Sequence, residues 1–175
     1  MLASMPLRTR QILLASGLLV VICAWYWWWC RPEVQVPRTF ARIQQGLQDS
    51  SAGLVIDQLH PDYDVTRNWS SQLAQVGEEV PGRPDARALA RQGLGALLLM
   101  HRDDPFTFSY HIDSLTRGDD GAVTAEVSIQ IGTRSGSGAP LLDPPLLRHR
   151  FVLARSGWLS AAYLIRSHAP IHLAL

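Results

Sequence analysis

The longest uninterrupted apolar stretch of the chain lies near its beginning. Residues 12–29 read ILLASGLLVVICAWYWWW, which is 18 consecutive positions without a charged side chain. As an α-helix this run is about 27 Å long, close to the thickness of the hydrocarbon core of a bilayer. Five aromatic residues end the run, and such rings prefer the headgroup level of a membrane. The pattern predicts that residues 12–30 form a helix that crosses a lipid bilayer.

A cleaved signal peptide would show the same basic start and apolar centre. Signal peptidase needs small residues after the apolar run, whereas this chain has Trp-Trp-Trp-Cys-Arg-Pro there, which favours an uncleaved anchor. Arg8 and Arg10 predict a cytoplasmic tail over residues 1–11, with the rest of the chain on the far side. In a bacterium, this predicts an inner-membrane protein whose domain lies in the periplasm or outside the cell. Cys23 and Cys30 are interpreted as small apolar residues; the alternatives are that both line a helix–helix contact or that Cys30 cross-links two chains.

Helical spacing dominates the part of the chain that follows. Two prolines predict an extended linker over residues 31–37. Apolar residues then recur at intervals of three and four over residues 38–48 and 85–101, which predicts two amphipathic helices. The apolar residues Leu54, Val55 and Leu59 predict a short helix at residues 54–59, which ends before Pro61. Residues 65–80 show no clear pattern.

After residue 105 the apolar residues recur at every second position. This spacing predicts strands at residues 106–113 and 123–131, joined by an Asp-Asp-Gly turn. Two further strands are predicted at residues 147–155 and 158–166, after a loop rich in Gly, Ser and Pro. Helices followed by consecutive antiparallel strands predict the α+β class.

Three features of this arrangement resemble a known superfamily. They are the sequence LHPDY at residues 59–63, the long helix at 85–101 and the closing strands around Phe151 and Trp158. Residues 38–168 resemble the nuclear transport factor 2-like superfamily, which includes ketosteroid isomerase and polyketide cyclases. The resemblance implies a cone of about three helices on a curved antiparallel sheet of four or more strands. Residues 169–175 would then be a C-terminal tail.

The resemblance also implies a pocket between the helices and the sheet. The inward residues predicted to line it are Phe106, Phe108, Tyr110 and Trp158. Superfamily enzymes often carry a general base just after the second helix, where this chain has Asp62 and Asp64. These two carboxylates and Tyr110 are the acid–base candidates. A local turn, in which the Asp side chains bond nearby backbone, is the plainer interpretation of Asp62 and Asp64.

The opposite face of the sheet carries polar side chains, and superfamily members often dimerise through that face. The residues predicted to form a partner surface there are His111, Glu126, Arg148 and Arg150. A sheet face that is simply solvated would have the same composition, so the pattern leaves both interpretations open.

Composition and charge exclude several classes of protein. The 16 basic residues nearly balance the 15 acidic ones, which is unlike a nucleic-acid-binding protein. Both cysteines lie in the first 30 residues, so a disulfide scaffold in the folded part is excluded. His168 and His172 are four positions apart, but the intervening Pro170 disrupts a helical metal-binding pair. We therefore predict no metal and no cofactor.

The expected function is that of a single-pass, membrane-anchored binding or assembly domain of the bacterial envelope, without catalysis. Its partners would be the bilayer, through residues 12–30, and either an envelope protein or a second copy of the chain. Within the superfamily, the inner-membrane component of type IV secretion channels has the same plan. The alternative is a carrier of small hydrophobic molecules, or an isomerase-like or cyclase-like enzyme, that uses the cone interior. A filled interior favours the first function and an open one the second.

Overall fold

The computed structural model describes residues 7–65, 85–135, 146–157 and 160–171. Within these residues the helices precede the strands, so the predicted α+β class is confirmed. The helices are α1 (Leu7–Trp29), α2 (Pro32–Gln48), α3 (Ala52–Ile56) and α4 (Ala86–Met100), and the strands are β1 (Phe106–Arg117), β2 (Val123–Thr133), β3 (Leu146–Arg155) and β4 (Tyr163–Pro170). Residues 66–84, most of the region without a clear pattern, and Trp158 lie outside the described residues.

Helix α1 is apolar around its whole circumference. The five consecutive apolar residues 18–22 are all more than half exposed, so no face of this segment packs against the protein. The segment Gln11–Trp29, of 19 residues, is long and apolar enough to cross a membrane. The predicted apolar helix is therefore present.

The prediction of an extended linker over residues 31–37 is wrong, because Pro32–Gln48 is one continuous helix. Pro32 stands in the first turn, where the missing N–H has no intrahelical partner to lose. Pro37 lies inside the helix, at a cost of about 3 kcal/mol for an interior proline. Burial of Val36 and Phe40 on the same helix offsets this cost. The folded domain therefore begins at residue 32 and not at residue 38.

The four strands form one antiparallel sheet in the order β1-β2-β3-β4. The predicted inner face of the first hairpin is confirmed: Phe106, Phe108, Val123, Ala125 and Val127 are buried. Irregularities in register between Ile112 and Ser114, and between Val152 and Leu153, bend and twist the sheet. Strand β4 begins five residues later than predicted and extends to Pro170, so the first two residues of the predicted C-terminal tail belong to the sheet.

Helix α2 lies across the inner face of the sheet and closes the core. Phe40 is 1% exposed, and its ring lies 5.0 Å from Phe151 and 5.4 Å from Tyr110. Helix α3 packs closely against α2, since a Cβ atom on Gly46 would come within 2.8 Å of Val55. The main core is thus built from α2, α3, one residue of α4 and all four strands.

Candidate functional site

The predicted pocket residues of β1 lie on the inner face, packed against helices. The Tyr110 hydroxyl donates a hydrogen bond to the Pro37 carbonyl oxygen, at 3.0 Å. Burial raises the pKa of Tyr110 above its ordinary value of 10.0, so its phenol holds its proton more tightly at neutral pH. Phe106 packs against Leu98, and Phe108 is buried in the main core. Protein side chains therefore fill this part of the cone interior.

The two aspartate candidates lie at the surface. Asp62 is 63% exposed in its side chain, 3.5 Å from the Nδ1 atom of His60 and 4.0 Å from the Nε atom of Arg166. Asp64 is also exposed. Neither carboxylate has the apolar enclosure that a buried general base requires. The backbone N–H of Asp62 also donates to His60 Nδ1, as expected of a local turn.

A different group of titratable side chains meets on the inner side of β3 and β4. We call Tyr63, His149 and His168 the histidine cluster. The Tyr63 hydroxyl lies 2.9 Å from the Nδ1 atom of His168, and their rings stack at 5.9 Å. The His149 ring lies 5.7 Å from the His168 ring. Phe151 contacts both imidazoles, at 5.9 and 5.8 Å between ring centroids.

The backbone after α3 brings Tyr63 to the two histidines. The Ile165 N–H donates to the Gln58 carbonyl oxygen at 2.9 Å, and the His60 N–H donates to the Ile165 carbonyl oxygen at 2.8 Å. These bonds pin the segment Leu59–Tyr63 along β4, so the phenol of Tyr63 lies beside His168.

The environment of the histidine cluster favours neutral imidazoles. Burial lowers the pKa of His149 below its ordinary value of 6.5. Burial, and secondly the nearby His149, lower the pKa of His168. The Nδ1 atom of His149 is buried and has no hydrogen-bond partner in the described part of the chain. A neutral imidazole with a free nitrogen can bond a hydroxyl or carbonyl group of a ligand, or carry a proton to it.

The histidine cluster was not predicted from the sequence, because proximity along the chain is the only relation between histidines that the sequence shows. Only His168 and His172 were compared, and His172 lies outside the described residues. A usable signal was present, since His149 and Phe151 alternate on β3 and must share a face. Among the described residues, no group of three or more His, Cys, Asp or Glu side chains could hold a metal ion.

The histidine cluster should make stability depend on pH in one direction. Because the folded chain lowers both pKa values, the unfolded chain binds more protons as the pH falls below 6.5. We expect the free energy of unfolding to be highest above pH 6.5 and to decrease on acidification through the lowered pKa values. Urea denaturation between pH 5 and 8 measures this slope. The slope should flatten in the double variant His149→Gln, His168→Gln. An unchanged slope would contradict the attribution of this pH dependence to the two histidines.

The predicted partner residues all lie on the outer face of the sheet. His111 is exposed on β1, and its register partner on β2 is Ser128, which in turn pairs with Arg148 on β3. Arg150 bonds Glu126 across the strands at 2.9 Å. Arg148 lies 3.4 Å from Asp113. The structure thus brings these residues into one exposed surface of paired charges, which we call the outer face.

The end of α1 is joined directly to the domain. The Gln35 side chain donates to the Trp29 carbonyl oxygen, and the Arg155 guanidinium donates to the Cys30 carbonyl oxygen, each at 2.7 Å. The Arg38 guanidinium stacks 3.5 Å from the centroid of the Trp29 ring. Cys30 is 7% exposed, so its thiol is poorly placed for a cross-link between chains.

No protein-family model and no curated protein matches the chain. Among solved structures, Aln2 from a Streptomyces species matches over 80% of this chain and 91% of its own, with 17% identity and a TM-score of 0.54. The chain shares the fold of Aln2. Two structures from Catenulispora acidiphila, one in complex with S-DNPA, match with 19% and 21% identity and TM-scores of 0.48 and 0.46. They cover 80% and 79% of this chain and 90% of their own chains.

Proposed function

We propose that this chain is a membrane-anchored binding or assembly domain of the nuclear transport factor 2-like superfamily. In this proposal α1 crosses the bacterial inner membrane once, and the α+β domain lies on the periplasmic side. The domain acts through contacts between its outer face and another envelope protein or a second copy.

One observation carries this proposal, namely the bonded joint between α1 and the domain. Gln35 and Arg155 hold the last carbonyl groups of the apolar helix, and Arg38 covers Trp29. A domain on a flexible tether would rotate freely above the membrane. The joint instead fixes the orientation of the sheet relative to the axis of α1, so the outer face is presented at a constant height and angle. Constant presentation suits assembly with another membrane protein.

The packed core supports the same proposal. Helix α2 fills the space above β1, and Tyr110 donates its hydroxyl hydrogen to the backbone of that helix. The space that superfamily enzymes use for substrate is therefore occupied, on this side, by Phe40 and Tyr110. The outer face is a surface available for recognition.

Reversing charges on the outer face should separate recognition from stability. A photo-cross-linker is placed at Ser109, which is exposed on β1 two positions before His111. In the native membrane, Arg148→Glu with Arg150→Glu should reduce cross-linking from this position to a specific protein about tenfold or more. The free energy of unfolding should change little, because exposed ion pairs contribute only about 0.2–1 kcal/mol each. The cross-linked band and a urea denaturation curve measure the two effects.

The pair Glu126 and Arg150 offers a matched control. The swap Glu126→Arg with Arg150→Glu restores an ion pair within the chain but reverses its polarity on the surface. Cross-linking that stays weak in the swap supports recognition by the outer face. Cross-linking that is strong in every variant, or absent in the wild type, contradicts it.

A second candidate function rests on the histidine cluster. The Nδ1 atom of His149, which has no partner among the described residues, lies beside the Tyr63–His168 pair and suits the hydroxyl or carbonyl group of a small apolar ligand. In this alternative the domain carries such a molecule or catalyses a proton transfer on it.

Histidine resonances distinguish this candidate from a solely structural cluster. In the full chain in detergent micelles, 2-naphthol should shift the ring resonances of His149 and His168, whereas naphthalene, which lacks the hydroxyl, should not. His149→Gln should weaken the binding of 2-naphthol about five- to tenfold, as expected for loss of one hydrogen bond. Unshifted resonances at saturating 2-naphthol would count against a ligand site.

A further inference from the structure

A charged cavity lies where the apolar helix meets the domain. It has a volume of about 540 Å³ and is bounded by the end of α1, the start of α2 and the ends of β1 and β3. The residues that matter for its chemistry are Tyr26, Trp27, Arg31, Glu33, Arg117 and Arg155. We call it the junction cavity.

Several guanidinium N–H groups of the junction cavity make no hydrogen bond within the described residues. The Arg117 side chain is exposed and has no hydrogen-bond or ion-pair partner within the described residues. Arg155 uses one nitrogen on the Cys30 carbonyl oxygen, while its buried Nε atom has no hydrogen-bond partner in the part of the chain that the structure describes. Arg31 lies over the Trp27 ring, 4.1 Å from its centroid, and within the same described residues its charge remains uncompensated by an ion pair. Three cations thus line one cavity with free N–H groups.

The acidic groups near the cavity limit the charge of a suitable ligand. Glu33 lines the cavity itself, so three arginines face one carboxylate there. A neighbouring cavity of about 620 Å³ shares Arg117 and Arg155 and adds Asp62, Asp120 and Arg166. An excess of about two positive charges suits a singly charged phosphodiester. A polyanion would meet the nearby carboxylates at a cost.

The position of the cavity indicates the source of that phosphodiester. Tyr26 and Trp27 belong to the aromatic end of α1, and such residues lie at the headgroup level when a helix crosses a bilayer. The cavity therefore opens at the depth where lipid phosphates lie. Arginine is the side chain best suited to them, because its planar fork donates two parallel hydrogen bonds to phosphate oxygens.

We propose that the junction cavity binds the phosphate headgroup of an anionic phospholipid, with Arg117 and Arg155 as the phosphate-binding residues. The proposal rests on the proposed function in one respect, namely that α1 crosses the membrane. The bound lipid would add a further contact to the joint, between α1, the β1 end of the sheet and the bilayer surface.

Retention of lipid by the full-length chain tests the proposal. The chain is reconstituted into nanodiscs of mixed phosphatidylcholine and phosphatidylglycerol, and native mass spectrometry measures the lipids that it retains on release. The wild type should retain phosphatidylglycerol over phosphatidylcholine about tenfold, since charge-assisted bonds to arginine are strong. Arg117→Gln should abolish this preference, and Arg117→Lys should keep part of it.

Arg102 provides the matched control. It is exposed, follows α4 and precedes β1, whereas Arg117 ends the same strand. The twelve-residue strand is about 36 Å long, so the two arginines flank opposite ends of the strand. Arg102→Gln removes the same charge but should retain phosphatidylglycerol like the wild type.

The outcomes are distinguishable. The lipid site is overturned if the chain inserts into the discs but does not prefer phosphatidylglycerol. It is also overturned if Arg102→Gln and Arg117→Gln lose that preference equally. Neither result contradicts the membrane anchor. Displacement of phosphatidylglycerol by millimolar inorganic phosphate would assign the cavity to free phosphate and overturn the lipid assignment. A chain that does not insert overturns the anchor itself, and the lipid site with it.

Discussion

Replacing Phe40 with alanine is expected to lower the free energy of unfolding by about 3–5 kcal/mol. The side chain is 1% exposed and meets Phe151 edge-to-face at 5.0 Å. Its ring also packs against Tyr110, whose hydroxyl donates a hydrogen bond to the backbone of α2. Truncation would leave a cavity between α2 and the sheet that these rings cannot fill, because they are fixed by other contacts. Since domains are stable by only about 5–15 kcal/mol, this change alone threatens folding.

Urea denaturation of the full chain in detergent micelles measures this loss. Phe40→Leu keeps most of the apolar volume and should cost about 1–1.5 kcal/mol. Leu99→Ala, at a residue 68% exposed on α4, should stay within about 0.5 kcal/mol of the wild type. A Phe40→Ala variant as stable as Leu99→Ala would mean that the core is not packed around Phe40. The ligand-binding alternative would then gain support.

The double variant Val20→Asp, Val21→Asp is expected to release the chain from membranes. Both valines lie near the middle of the apolar segment Gln11–Trp29 and are exposed on α1. One aspartate at the centre of a membrane helix costs about 3 kcal/mol, so the pair costs about 6 kcal/mol, or a factor of about ten thousand in the insertion equilibrium.

Synthesis of the chain with membrane vesicles, followed by alkaline carbonate extraction, measures this effect. The wild type and the control variant Val20→Leu, Val21→Leu should stay in the pellet, whereas the double aspartate variant should move to the supernatant. Recovery of the wild type in the supernatant would refute the anchor. A shortened wild-type product would instead support the signal-peptide interpretation.

Much of the fold could be predicted from the spacing of apolar residues. The alternation of Phe106, Phe108 and Tyr110 determined which face of β1 is buried, and the structure has that face inward. The linker prediction failed because Pro32 and Pro37 were weighed as helix breakers. Their neighbours Val36 and Phe40 are buried on the sheet, and this burial outweighs the local preference.

The candidate sites depended more heavily on tertiary structure. Asp62 and Asp64 were chosen by their place after a helix, but both side chains face solvent. The histidine cluster was missed because Tyr63 and His168 are 105 positions apart and meet only through the pairing of Leu59 with Ile165.

The sequence by itself determined the apolar helix, the α+β class and the two faces of the first hairpin. Each of these depends on the periodicity of one segment, which is a local property. The tertiary structure decided the continuous helix α2, the bonded joint and the meeting of Tyr63, His149 and His168. These features depend on strand register and on how helices pack on the sheet. The packing free energy comes from residues that are distant along the chain, so no single segment determines it.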